Sequence, residues 1–352
     1  MKQNQPNDID TLPELVSPYL KELIAKTGGN DGPIGRQFIA HDKHHEGLGA
    51  DEKDPLLEDE HEVAPGLVYK YEGKLNSDGS VKTFGRALFT ITRFCASYCR
   101  FCTRGREVGL PPAKNRSEGP TLMQRPFLTP SDIDKTIDFI KKHKEINEII
   151  ISGGDPLTAP RDYLTSIIEK LSALQKNGDL SIIRIGSRLP IANPRMIQPW
   201  HYELLAKLKN PYLMVHINHA DEVTDEAVSV LTNFRKVALA SVLSQTVFLA
   251  GVNDDEDTLY KLFYKLTEAG IRPYYVFQCD PVPWAKDFIV PPKKAIAIWK
   301  KLRPRLSGIA GTARLVIDVP GGYGKIPVPE GDAWDLDYSA YRDFKGKKFS
   351  WE

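Results

Sequence analysis

A chain of 352 residues with 47 basic and 46 acidic side chains carries no global field, which excludes attraction to nucleic acid or an anionic membrane through bulk charge. No apolar run approaches the roughly 20 residues of a membrane-spanning helix, and the opening stretch MKQNQPNDIDTLPEL lacks the apolar core of a signal peptide, so the cytoplasm is the expected compartment. The length permits two domains or one large α/β barrel.

Residues 1–84 are polar, with few long apolar runs. HDKHHE at 41–46 has metal-binding composition but no evident partner ligands, and is expected to be a solvated loop. DPLLEDEHEVAPGLVYKY at 54–71 ends in a short apolar segment suited to docking on the next domain. From Arg86 onward strands alternate with helices. ALFTITRF (87–94) is a strand that runs into a cysteine-rich loop, and an insertion rich in Pro, Gly and charge occupies 109–128. Thr129 and Ser131 bracket a proline at a helix start, and IDKTIDFIKK carries apolar residues at helical spacing. EIIIS (148–152), SIIRIGS (181–187), YLMVHIN (212–218), VALASVLSQTVFL (237–249) and RPYYVFQ (272–278) read as further strands. Helices are expected near 161–175, 199–209, 225–236, 254–269 and 292–303, before a last strand, RLVIDV, at 314–319. This alternation predicts an α/β fold of parallel strands joined by right-handed crossovers. Six units predict a partial (βα)6 barrel over 85–290, with an extension at 1–84 and a C-terminal segment at 291–352. Chemistry in such barrels gathers at the C-terminal ends of strands. A doubly wound open sheet is the alternative.

Three of the four cysteines, Cys95, Cys99 and Cys102, fall in FCASYCRFC with spacing C-x3-C-x2-C, and the fourth is Cys279. Three clustered thiols suit a 4Fe–4S cluster with one iron left open to a small molecule, since four thiolates would close the shell. Zinc would want a fourth Cys or His at similar spacing, a disulfide scaffold more cysteines in a shorter chain. Ordinary buried thiols are the plain alternative. Ser152, Gly153, Gly154 and Asp155 follow the second strand, either as a tight turn or as backbone open to close approach by a ligand. PGGYGKIPV at 320–328 sets Lys325 after a glycine-rich turn. It is not a P-loop, because the spacing differs and the turn follows the last strand. Such a lysine is a surface residue or one able to form a Schiff base with pyridoxal phosphate (PLP).

The cysteine spacing is that of the radical S-adenosylmethionine (SAM) enzymes. Eight runs in order, DPLLEDEHEVAPGL, CASYCRFCTR, IISGGDPL, IRIGSRLP, HINHADEVT, GVND, RPYYVFQCD and VIDVPGGYGKIPV, resemble the lysine 2,3-aminomutase family over about residues 54–328. The resemblance implies that Cys95, Cys99 and Cys102 bind the cluster and that the turn Ser152 to Asp155 holds the amino group of SAM. It implies PLP on Lys325, its phosphate on Arg86, and the substrate carboxylate on the guanidinium fork of Arg104. Asp280 and Asp318 match the pair that grips the distant ammonium of lysine and repels an acidic side chain. The implied reaction moves an α-amino group to the β-carbon of a free amino acid, most simply L-lysine, with an electron donor of flavodoxin or ferredoxin type. Alternatives are another amino acid such as arginine or ornithine, a lysine carried by an elongation factor, or an iron–sulfur protein that binds SAM without isomerising anything. In the segment after Asp280, Trp284 and Lys286 are expected to reshape the pocket, with Lys286 weakening the hold of Asp280. Phe101 stands where the family has histidine, and Tyr323 where the lysine enzymes have glycine. The aromatic and charged tail 330–352 suits an inter-subunit arm or strand, hence a homo-oligomer.

Overall fold

The computed structural model describes residues 12–40, 53–109, 126–319, 324–328, 340–342 and 347–350. HDKHHE, most of the 109–128 insertion, Pro320 to Tyr323 and residues 329–339 of the tail lie outside the described residues.

Two short helices, α1 (Pro18–Lys26) and α2 (Gly35–Phe38), come first. Ser17 caps α1 by accepting from the Leu20 backbone N–H at 3.1 Å, and Pro18 fills the first position, where a missing N–H costs nothing. β1 (Glu62–Ala64) and β2 (Leu67–Tyr71) make an antiparallel ribbon, followed by a small hairpin of β3 (Lys74–Leu75) and β4 (Val81–Thr83).

The alternating part is β5 (Gly85–Thr92), α3 (Pro130–Lys142), β6 (Ile146–Gly153), α4 (Arg161–Asn177), β7 (Ile182–Ser187), α5 (Leu189–Ala192) and α6 (Pro199–Leu205). It continues through β8 (Tyr212–His216), α7 (Asp225–Val237), β9 (Ser241–Phe248), α8 (Glu256–Glu268), β10 (Arg272–Gln278), α9 (Pro292–Leu302) and β11 (Arg314–Asp318). β12 (Lys325–Pro327) turns back along β11. α3 begins as its sequence predicts: Thr129 and Asp132 form a reciprocal capping box around Pro130.

One sheet runs β1-β2-β5-β6-β7-β8-β9-β10-β11-β12. β5 to β11 are all parallel, and β1, β2 and β12 are antiparallel additions. Strand order follows chain order without the reversal that defines a doubly wound sheet, so that alternative falls. The sheet is open between β1 and β12, which fits a partial barrel. β11 adds a seventh parallel strand to the six expected units.

The two faces separate with the period of two that strands impose. Phe89, Ile91, Ile149, Ile151, Ile183 and Leu213 sit in the main apolar core beneath the helices. α8 supplies Leu259, Leu262, Phe263 and Leu266 to that core, the stripe its sequence predicts, each worth about 1.5–3 kcal/mol when fully buried. The alternate positions, among them Leu88, Ser152, Gly186, His216, Val247 and Phe277, face one cavity.

Candidate active site

That cavity measures about 370 Å³, and every site residue read from the sequence lines it. Cys95, Cys99 and Cys102 are free thiols on the loop that leaves β5. Burial pushes the Cys95 thiol well up and the Cys102 thiol to about 12, and the neighbouring sulfurs act in the same direction. Metal binding would take the place of the proton on Cys95 and Cys102, the usual coupling of thiol ligation to metal binding. Among the described residues no three donors converge on a single-ion position. A 4Fe–4S cluster asks for something else, three thiolates that each take a separate iron, and the trio fits that demand.

The loop is braced from outside. Trp284 donates its indole N–H to the Cys102 carbonyl at 2.7 Å and packs on Gly105, where a Cβ would stand 2.5 Å from the ring. Trp284 and Lys286 are not themselves among the residues lining the cavity; Trp284 bears on it through the Cys102 loop. Phe101 meets His216 and Phe288 edge-on, with ring centroids 5.6 and 5.5 Å apart.

The glycines at the end of β6 line the cavity and also make a close approach to backbone. Gly153 has φ of +112°, and a Cβ there would lie 2.3 Å from the Thr92 carbonyl oxygen. A Cβ on Gly154 would lie 2.2 Å from the carbonyl oxygen of Phe94. The backbone N–H groups of Gly154 and Asp155 donate to those same carbonyls at 2.6 and 2.7 Å, so the turn is zipped onto the start of the cysteine loop. The Asp155 carboxylate faces inward and accepts from Ser187 Oγ at 2.8 Å, from the Arg188 and Leu189 backbone N–H groups at 2.7 Å and from that of Leu157 at 3.1 Å. Burial raises its pKa and these bonds oppose the rise. Gly154→Ala should cost about 3 kcal/mol, because backbone rather than a flexible side chain blocks the methyl group. The urea midpoint of the apoprotein checks this, and an unchanged midpoint would mean the turn can open.

The opposite wall is charged. Arg104 meets Glu58 in a two-point pair, Nε to Oε2 at 2.7 Å and Nη2 to Oε1 at 2.8 Å, while its Nη1 lies 3.5 Å from Ser152 Oγ. Burial alone would raise the Glu58 carboxyl, but Arg104, with Lys70 and Arg106 behind it, holds it below its usual range. Lys70 faces the same cavity; burial lowers its pKa, with the Glu58 charge opposing. Arg86 stacks over the Tyr71 ring at 4.0 Å, its register partner across β2 and β5. Lys325 and Asp318 are also register partners, and Lys325 Nζ donates to Asp318 Oδ1 at 2.5 Å while lying 4.9 Å from the centre of the Phe277 ring. Asp280 accepts from Thr103 Oγ1 at 2.6 Å. Burial pushes its carboxyl to about 6; Thr103 opposes the rise and the Asp318 charge adds to it. Sequence reasoning missed Glu58, Lys70 and Arg188. Glu58 and Arg188 stand inside recognisable runs, but nothing local marks them as cavity residues.

The profile of the Radical SAM superfamily matches residues 89–263. L-lysine 2,3-aminomutase of Methanococcus maripaludis is 33% identical over 341 residues, 96% of this chain and 72% of that one. The enzymes of the same name from Fusobacterium nucleatum and Clostridium subterminale are 35% and 33% identical over 320 residues, 91% of this chain and 68% and 70% of theirs. The chain belongs to the lysine 2,3-aminomutase family. Among solved structures, a radical SAM methyltransferase from Sphaerobacter thermophilus aligns at a TM-score of 0.48 and 16% identity, over 71% of this chain and 69% of that one. As a member of the lysine 2,3-aminomutase family and the radical SAM superfamily, the chain works with a 4Fe–4S cluster and SAM. No described helix is long and apolar enough to cross a membrane.

Proposed function

We propose that the protein is a SAM- and PLP-dependent amino-acid 2,3-aminomutase that converts L-lysine to β-lysine. The observation that carries this reading is the meeting of Asp280, Asp318 and Lys325 in the cavity that also holds the cysteine trio. When bound, the cluster and SAM supply a carbon-centred radical, and PLP on Lys325 supplies the π-acceptor across which nitrogen migrates.

The chain's own residues do the rest. Cys95, Cys99 and Cys102 hold the cluster at one side of the cavity, and the backbone of Ser152 to Gly154 borders the space beside it. Arg104 takes the substrate carboxylate; Glu58 grips Nε and Nη2 and leaves Nη1 directed along the Ser152 side. Arg86, aligned by Tyr71, offers a cation for the PLP phosphate. Asp318 already accepts one ammonium, that of Lys325, and with Asp280 it would receive the side-chain ammonium of the substrate. A one-electron donor of flavodoxin or ferredoxin type would reduce the cluster in the cytoplasm.

An anaerobic assay against lysine, arginine, ornithine, glutamate and alanine tests the reading. Lysine should turn over best, and a better rate with glutamate would overturn the substrate assignment. Asp318→Asn should weaken lysine turnover by about 2 kcal/mol, roughly 30-fold in kcat/KM, with much less effect on alanine. Equal losses on both would show that Asp318 only shapes the fold. As pH falls through about 6, Asp280 takes up a proton and loses its charge, so KM for lysine should rise below that pH. In Asp280→Asn this acid limb should vanish.

A further inference from the structure

The cysteine loop is also gripped by a buried arginine of the cavity wall and by α2 behind it. Arg188, directly after β7, is 8% exposed and donates through Nη1 to Cys99 Sγ at 2.8 Å. Its Nη2 donates to Gln37 Oε1 at 2.5 Å and to Glu222 Oε1 at 2.6 Å. Its guanidinium carbon lies 4.4 Å from the centre of the Phe38 ring. Gln37 and Glu222 are both fully buried. Glu222 is itself fixed, since its other oxygen accepts from the backbone N–H groups of Asn218 and His219 at 2.6 and 2.8 Å. Gln37 also accepts from Asn218 Nδ2 at 2.9 Å, and its backbone carbonyl accepts from the Arg100 N–H, inside the cysteine loop, at 2.9 Å. Gln37 and Phe38 belong to α2, so the segment before the barrel reaches through to the sulfur of a cluster cysteine.

A hydrogen bond from a cation to a ligand thiolate offsets negative charge on the cluster. Reduction adds one more negative charge, so the bond favours the reduced state and raises the potential. Burial keeps water from screening the effect. We propose that Arg188 sets the reduction potential of the cluster through Cys99, and that Gln37 is a positioning residue that makes the N-terminal segment part of the cluster site. The proposal rests on the cluster alone and not on the amino-acid reaction.

The test is a redox titration followed by electron paramagnetic resonance on reconstituted protein without SAM, so turnover plays no part. Arg188→Gln should lower the potential by a tenfold or larger change in the reduction equilibrium, about 59 mV for one electron. Gln37→Leu should give a smaller shift of the same sign. Glu22→Gln is the control: Glu22 docks α1 through Arg195, which also holds Glu226 on α7, away from the cluster. It should leave the potential unchanged, and a shift equal to that of Gln37→Leu would show that loosening of the segment, not the bond, is at work. Fully loaded Arg188→Gln at the wild-type potential overturns the proposal. If Arg188→Gln cannot hold iron, a loaded Gln37→Leu at the wild-type potential overturns it instead. Wild-type protein that binds no iron removes both the proposal and the radical chemistry; a loaded variant without a shift removes the proposal alone.

Discussion

Cys99→Ala should abolish the brown chromophore and all SAM cleavage. Three thiolates are the fewest that hold a 4Fe–4S cluster while leaving one iron free, and removing one strips an iron of its anchor. The remaining cysteine offers no rescue. Cys279 is 4% exposed, burial pushes its thiol well up, and it sits with Phe101 in an apolar cluster against which Cys99 packs, without itself lining the cavity. Iron and sulfide analysis together with 5′-deoxyadenosine formation measures the outcome. About four irons per wild-type chain and far fewer in the variant are expected, and a variant with a full cluster and normal cleavage would sink the assignment.

Lys325→Ala should eliminate amino migration while leaving the cluster intact. Borohydride reduction of PLP-loaded wild type, followed by peptide mapping, should find the phosphopyridoxyl group on Lys325 alone. The rival worth checking is Lys70. It faces the same cavity, and burial lowers its pKa, which makes a lysine more nucleophilic at neutral pH. Lys286, the more obvious competitor in sequence, does not line the cavity. A label on Lys70 would overturn the role of Lys325 and move the cofactor from β12 to β2.

The parallel strands were legible because short segments centred on isoleucines, such as EIIIS and SIIRIGS, alternate with helices that carry clear apolar stripes. The ribbon of β1 and β2 was legible only as a docking segment. Its strands are short, and β2 joins β5 antiparallel only across the intervening β3–β4 hairpin. The cysteine trio was readable because its geometry is local. Glu58 and Arg188 were not, since a glutamate in an acidic run and an arginine after a strand acquire meaning only when folding brings Arg104 or Cys99 against them. The glycines at the end of β6 were read either as a tight turn or as ligand-facing; the close backbone of Thr92 and Phe94 that the turn demands is something no sequence spacing reveals.

A sheet with seven parallel strands has two margins, and both are protected against pairing with another chain. β5 has an eight-residue flank, Gly85–Thr92, whose unpaired groups would template aggregation if left bare; β2 covers it and hands the border to a strand of only three residues, Glu62–Ala64. At the other border, β12 is also three residues long and ends at Pro327, which has no N–H to offer an incoming strand. The additions that carry Lys70 and Lys325 to the cavity thus also keep the most apolar part of the chain from recruiting its neighbours in a crowded cell.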